Sequence, residues 1–283
     1  RHKIAMAAPD RIIATILGCG SSGGVPRLGN VWGACDPLQP RNRRRRCSLL
    51  IEGWTQGIDT PTRILIDTGP DLREQLLDAN VDRVDAVLYT HEHADHTHGI
   101  DDLRVLALIN RKRVDVYYSE ACGQRLNEAF GYCFKTPPGS SYPPILNAHV
   151  IKDGQTLEID GPGGTIAISA FDMIHGDINA FGFRVAGLAY SCDLSALPES
   201  SIPALRDLDV WIVDALRPAP HPSHLSLPET LALIDELAPR QAVLTDMHID
   251  LDYATVEHET PDNVAAAFDG MQIDVLTGRI LNR

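Results

Sequence analysis

Tyr89-Thr90-His91-Glu92-His93-Ala94-Asp95-His96-Thr97-His98-Gly99 follows directly on the apolar run Val84-Asp85-Ala86-Val87-Leu88. The run reads as a strand, and the histidines sit where that strand ends and a helix begins. Side chains two apart on a strand point the same way, so His91 and His93 converge on one metal ion. Past the turn, Asp95 and His96 are free to serve a second ion beside the first. Imidazole and carboxylate suit zinc, manganese or iron, and thiolate is absent, so ligand type alone does not choose the metal. Four of the 11 histidines fall between positions 91 and 98, a density that a solvated turn does not account for.

Two ions need more ligands than one turn supplies, and other strand ends offer them. His175 follows the strand 164–171 in Asp172-Met173-Ile174-His175-Gly176-Asp177. Asp193 follows Leu188-Ala189-Tyr190-Ser191-Cys192, and His248 follows Ala242-Val243-Leu244-Thr245. Singly, each reads as a turn or capping residue; jointly they read as a site.

Short apolar runs bounded by Gly, Pro and Asp predict strands at 11–17, 47–52, 63–67, 84–89, 114–119, 164–171, 181–186, 188–191, 209–213 and 241–245. Helical patterns occupy 71–79, 99–110, 120–130 and 228–237, with Pro228 suited to a first turn. The class is α/β. Strands outnumber helices and come in consecutive groups, which fits a sheet sandwich with outer helices better than strict alternation. The Pro-rich stretch 136–144 reads as an exposed loop, so one domain over 1–283 is expected.

Composition narrows the function. Hydrophobic residues make up 44% of the 283, and 25 basic against 38 acidic groups give a net charge of −13. That is the balance of a globular chain, and it opposes stable nucleic-acid binding, which depends on clustered Lys and Arg. No apolar run is long enough to span a bilayer. Arg1-His2-Lys3-Ile4-Ala5-Met6 lacks the apolar stretch of a signal peptide, so a cytoplasmic location is expected. The six cysteines form no C-x-x-C pair and are expected to be reduced and mostly buried.

Gly18-Cys19-Gly20-Ser21-Ser22-Gly23 satisfies G-x-G-x-x-G after a strand. A dinucleotide turn must open a helix and be followed about 20 residues on by an acidic group. Here Val25-Pro26-Arg27-Leu28-Gly29-Asn30 follows, and the acidic position falls among arginines. The loop is read either as a tight turn or as a backbone cradle for an anion.

His91, His93, Asp95 and His96 spell H-x-H-x-D-H, and with Asp67 in Ile64-Leu65-Ile66-Asp67-Thr68-Gly69 the chain resembles the metallo-β-lactamase fold superfamily. The resemblance covers about residues 11–275 and implies an αββα sandwich with two metal ions, zinc or manganese, at one edge. His175 and Asp193 fall at its third histidine and its bridging carboxylate. Gly18 to Pro26 and Phe268-Asp269-Gly270-Met271 are similar to the phosphoribosyl cyclic phosphodiesterase (PhnP-type) branch, which is related to tRNA 3′-processing nucleases. That branch's clustered cysteines for a structural zinc are reduced here to Cys35, with Cys19 and Cys47 far off, so this zinc is not expected.

The resemblance implies a metal-dependent phosphodiesterase acting on a small cyclic or nucleotide-like substrate, with a homodimer allowed. His91, His93 and His175 would hold one ion, Asp95, His96 and His248 the other, and Asp193 would bridge. Asp67 would orient ligands or the nucleophile. His224 in Pro222-Ser223-His224-Leu225 matches a substrate-contacting histidine, with His221 as its rival. Arg41-Asn42-Arg43-Arg44-Arg45-Arg46 is either a solvated face or a patch that draws phosphate. Hydrolysis of a carboxylic ester, lactone or thioester, and nucleotide binding without turnover, stand as alternatives.

The last ligand is a choice between neighbours. In the resembled branch a histidine comes directly after the Leu-Thr pair, whereas here Leu244-Thr245 is followed by Asp246-Met247-His248. If the chain leaves the strand extended, positions two apart share a side. His248 is then the expected ligand and Asp246 its support.

Overall fold

The computed structural model describes residues 7–283; the segment 1–6, on which the reading of a missing targeting signal rests, lies outside them. The chain first lays down β1 (Arg11–Gly18), β2 (Ser48–Trp54), β3 (Thr62–Ile66), β4 (Ala86–Leu88), β5 (Val114–Tyr118) and β6 (Leu146–Val150). It then builds β7 (Thr156–Gly161), β8 (Gly164–His175), β9 (Ile178–Val185), β10 (Leu188–Ser191), β11 (Val210–Asp214), β12 (Gln241–Thr245) and β13 (Val264–Ala266). Two final strands, β14 (Gln272–Asp274) and β15 (Arg279–Ile280), return to the first sheet. The sheets have the orders β15-β14-β1-β2-β3-β4-β5-β6 and β13-β12-β11-β10-β9-β8-β7.

Side-chain alternation explains why the sheets stack. In β2 and β3, Leu49, Ile51, Ile64 and Ile66 enter the main core, while Leu50 and Leu65 between them enter a second cluster on the other face. A strand buried on both faces needs the unbroken apolar runs Leu49-Leu50-Ile51 and Ile64-Leu65-Ile66. The second cluster holds Leu72 and Leu76 of α1 (Leu72–Asp78), and, beyond α2 (Ala94–Thr97), Leu103 and Leu106 of α3 (Leu103–Asn110) and Leu126 of α4 (Glu120–Phe134). Ile234 and Leu237 of α5 (Leu227–Leu237) join the main core, and α6 (Tyr253–Glu259) contributes Tyr253 and Val256. The result is the expected αββα arrangement.

The sequence patterns miss β6, β7, β13, β14 and β15. Four of these are the outermost strands of the two sheets, and β14 lies next to an edge. β6 and β7 interleave polar, exposed positions, and β13, β14 and β15 are only two or three residues long, too short to register as a periodic run. The helix expected over 99–110 is broken into a 3-10 turn, Ile100–Asp102, followed by α3. The stretch 136–144 has no helix or strand, and all six cysteines are buried and unbridged. No helix among the described residues is long and apolar enough to cross a membrane.

Candidate metal centre

The predicted site residues lie at the carboxyl ends of strands, where β3–β4 and β10–β11–β12 run parallel. Asp67 follows β3, His91 follows β4, His175 ends β8 and Asp193 follows β10. Phe181 N donates to Thr90 O at 2.8 Å and so ties the two sheets together at this edge. The turn after β3 needs close backbone approach, because a Cβ on Gly69 would lie 2.2 Å from Asp95 O.

Hydrogen bonds fix the histidine tautomers. Asp67 is fully buried at φ +64°, a strained conformation for a residue with a side chain. Its Oδ2 accepts from His96 Nδ1 at 2.7 Å and from Thr90 Oγ1 at 2.7 Å, while Oδ1 accepts from Thr90 N at 2.8 Å. Having given its proton to Asp67, the Thr90 hydroxyl accepts from His91 Nδ1 at 3.0 Å. His175 Nδ1 donates to Ser223 O at 2.7 Å. His91, His96 and His175 therefore all turn Nε2 toward the site.

Two ligand groups result. His91 Nε2 and His175 Nε2 stand 3.0 and 3.2 Å from His93 Nδ1. A single proton on His93 Nδ1 would have to serve both acceptors, whereas a cation among the three satisfies all of them. His96 Nε2 is 3.3 Å from both Asp95 Oδ2 and Asp193 Oδ1. Asp193 Oδ2 instead faces the first group, 3.9 Å from His91 and 3.7 Å from His175. Each oxygen of Asp193 thus serves a different group. The buried atoms His96 Nε2, Asp193 Oδ1 and Asp246 Oδ2 have no hydrogen-bond partner, a cost that metal coordination removes. The donor set fits two divalent ions.

Burial and the neighbouring His96 hold His91 well below the usual imidazole range, as a neutral ligand requires. For His96 burial acts downward, but Asp193, Asp95 and Asp67 outweigh it and raise its proton affinity. His98, the fourth histidine of the cluster, is exposed and meets Phe130 edge-on instead.

His224 lies just before α5, whose start is fixed by a capping box between Ser226 and Glu229. His224 Nδ1 donates to Asp214 Oδ2 at 2.8 Å and stands 3.1 Å from Asp246 Oδ2. Burial works against a charged ring, yet Asp246 and Asp214 prevail and push its pKa up to about 12. His221 also lines the cavity, but its Nδ1 accepts only from the adjacent Ser223 N and lies close to Ser223 Oγ.

The expectation for His248 is corrected. Its Nε2 meets an Arg27 guanidinium nitrogen and its Nδ1 lies 3.1 Å from Asp250, so neither nitrogen joins a ligand group. Asp246 has φ +56°, which turns the chain directly after β12 and removes the extended geometry that would set 246 and 248 on one side.

Apart from the exposed Arg43, the basic run 41–46 is folded inward. Arg41 donates to Tyr253 OH and covers Phe268, and Arg44 is buried and donates to His248 O. Arg45 pairs with Asp78 and Asp269, and Arg46 with Asp71. Different cations reach the site. A cavity of about 300 Å³ beside the ligand groups is lined by Ser21, Arg27, Asp95, Arg217 and His224, among others. Among the described residues no carboxylate pairs with Arg27 or Arg217, and Ser21 Oγ is buried without a partner. No helix follows the glycine loop, which excludes the dinucleotide reading.

Sequence reasoning missed Asp214, Thr90, Arg27 and Arg217. A signal existed for Asp214, which closes the apolar run Val210-Trp211-Ile212-Val213 as Asp67 and Asp193 close or follow theirs.

Comparison with known proteins agrees with this geometry. Residues 62–249 match the beta-lactamase superfamily domain. The crystal structure of a new diphosphatase from the PhnP family superposes with a TM-score of 0.81 at 31% identity, covering 93% of this chain and 97% of that one. An octanoyltransferase of Porphyromonas gingivalis (strain ATCC BAA-308 / W83) is 29% identical over 262 residues, 91% of this chain and 50% of that protein. A ribonuclease Z of Bradyrhizobium sp. (strain ORS 278) is 29% identical over 147 residues, 51% of this chain and 45% of that protein. The chain spans about half the length of these two curated relatives.

Proposed function

Because this chain belongs to the beta-lactamase superfamily, as a metallo-β-lactamase-fold hydrolase related to the PhnP branch, we propose that it hydrolyses a small cyclic or nucleotide-like phosphodiester with two divalent ions, zinc or manganese. One observation carries this reading: a single cavity in which ligand groups joined by Asp193 meet the cations Arg27, Arg217 and His224.

His91, His93 and His175 would hold the first ion and Asp95 and His96 the second, with one oxygen of Asp193 turned toward each group. When bound there, two divalent ions would supply charge that neutralises a phosphate and would acidify a water nucleophile. Asp67 and Thr90 keep the imidazoles aimed by hydrogen bonds behind the ligands. His224, with Nδ1 committed to Asp214, has Nε2 left to donate to a phosphoryl oxygen or to the leaving alkoxide. Arg27 and Arg217 supply positive charge that draws an anion into a chain of net charge −13.

Metal-reconstituted protein assayed against a ribose cyclic phosphate, a simple phosphodiester, a lactone and a thioester tests this reading. The phosphodiesters are expected to turn over fastest. Faster cleavage of the lactone or thioester would move the protein to the carboxyl-ester class.

A further inference from the structure

Arg27 is an exposed arginine that lines the cavity, yet it is held at its backbone, its stem and its head. Arg27 N donates to Val31 O at 3.0 Å, and Arg27 O accepts from Val31 N at 3.2 Å. The stem lies over Gly23, where an added Cβ would come within 3.3 Å of Arg27 Cγ and Nε. The guanidinium donates to His248 Nε2. A guanidinium has no lone pair to offer, so Nε2 is the accepting nitrogen and Nδ1 carries the ring proton. That proton meets Asp250 Oδ2 at 3.1 Å. The Asp250 N–H, 3.3 Å from Nδ1, donates to the ring only in the opposite tautomer, which would set two donors against each other at Arg27. Burial and then the Arg27 charge hold His248 below the usual imidazole range, against the pull of Asp250, so the ring is neutral and able to accept. The His248 backbone is fixed in turn: its N donates to Leu216 O at 2.8 Å, beside Arg217, and its O accepts from Arg44 at 3.3 Å.

We propose that His248 is a positioning residue: held by Asp250, it takes one N–H of Arg27 and so sets the remaining guanidinium donors for an anion bound in the cavity. This assignment rests on the reading above, which makes the cavity a phosphate site. An arginine carries its donors in a rigid fork, and one bond to His248 leaves enough of them to clasp two oxygens of a phosphoryl group. A long side chain free in water loses its rotamer freedom when it binds a ligand, and one that is already held loses less. Asp250 does not line the cavity and acts only through the imidazole. A histidine that joins neither ligand group thereby acquires a role in the same cavity.

Calorimetric titration of the zinc-loaded protein with inorganic phosphate tests this apart from turnover. Arg27→Ala should weaken phosphate binding about tenfold, and His248→Ala and Asp250→Ala each about threefold. Removal of an acid would by its charge alone strengthen an anion's binding, so a loss in Asp250→Ala separates positioning from charge. In the Arg27→Ala background neither second substitution should weaken binding further, because both act through the guanidinium. His248→Gln, whose amide oxygen accepts from Arg27 in place of Nε2, should bind phosphate within about twofold of the unmodified chain. Additive losses in the double variants, a loss in His248→Gln as large as in His248→Ala, or unchanged or tighter binding in Asp250→Ala overturns the assignment. Asp250 is exposed, so its half of the cycle stands even where a His248 variant fails to fold. Absence of phosphate binding to the unmodified chain overturns the assignment as well. Faster cleavage of a lactone or thioester, with the coupling of Arg27 to His248 intact, is a different result: it removes the phosphodiester reading and supports the positioning role.

Discussion

Asp67 Oδ2 lies 2.7 Å from His96 Nδ1, with both side chains fully buried. The same oxygen accepts from Thr90, which in turn accepts from His91, so one carboxylate aims a ligand of each group. Replacing Asp67 by Ala should weaken metal binding about 10- to 100-fold, more for the ion at His96 than for the ion at His91. Isothermal titration with zinc measures this. Unchanged affinity at both positions would remove Asp67 from the account.

Asp193 divides its oxygens between the groups, Oδ1 at 3.3 Å from His96 and Oδ2 at 3.7 Å from His175. Asp193→Asn keeps the size of the side chain and removes its charge. The variant should lose at least one ion and at least about 100-fold in turnover while keeping its circular dichroism spectrum. Two ions retained by a folded variant would show that Asp193 does not span them.

The local part of the site was legible because its geometry is local. His91, His93, Asp95 and His96 sit on one strand-to-helix turn, where a period of two and a change of direction suffice to place them. His175 and Asp193 could be read because each closes an apolar run, and runs of that kind pair into sheets. Where residues 246 and 248 point was not legible, because it depends on one backbone angle. Asp246 adopts φ +56°, a state available to Asp at modest cost but not announced by its neighbours. His248→Ala should for this reason keep both ions. The arginine run shows the converse. Six nearly continuous polar residues look like a solvated face, yet Asp71, Asp78 and Asp269, remote in sequence, consume two of its charges.

Arg27 and Arg217 line the cavity, whereas Arg43 is exposed and lines a different one. Arg27→Ala and Arg217→Ala should each raise KM for a phosphodiester about tenfold with a smaller change in kcat, the pattern of lost uniform binding. Arg43→Ala should change neither constant. Steady-state kinetics on the three variants decides the matter, and an effect confined to Arg43 would return the basic run to the substrate path.

Burial, opposed in part by hydrogen bonds from Arg45, raises the Asp269 carboxyl to about 6, above the roughly 3.9 of a free aspartate. The folded chain holds this proton more tightly than the unfolded chain. The stability it contributes is complete below about pH 4 and is lost as pH rises through about 6. The stability of the unmodified chain relative to Asp269→Asn should fall by at most about 3 kcal/mol across that window. Urea denaturation at intervals of pH measures the difference; a flat or rising difference contradicts the assignment.

Turnover of a phosphodiester followed during metal titration of chelator-treated protein reaches the central claim most directly. The account predicts that two ions bind per chain and that hydrolysis appears only as the second position fills. Full hydrolysis by metal-free protein, or uptake of less than one ion under metal-replete conditions, would contradict it.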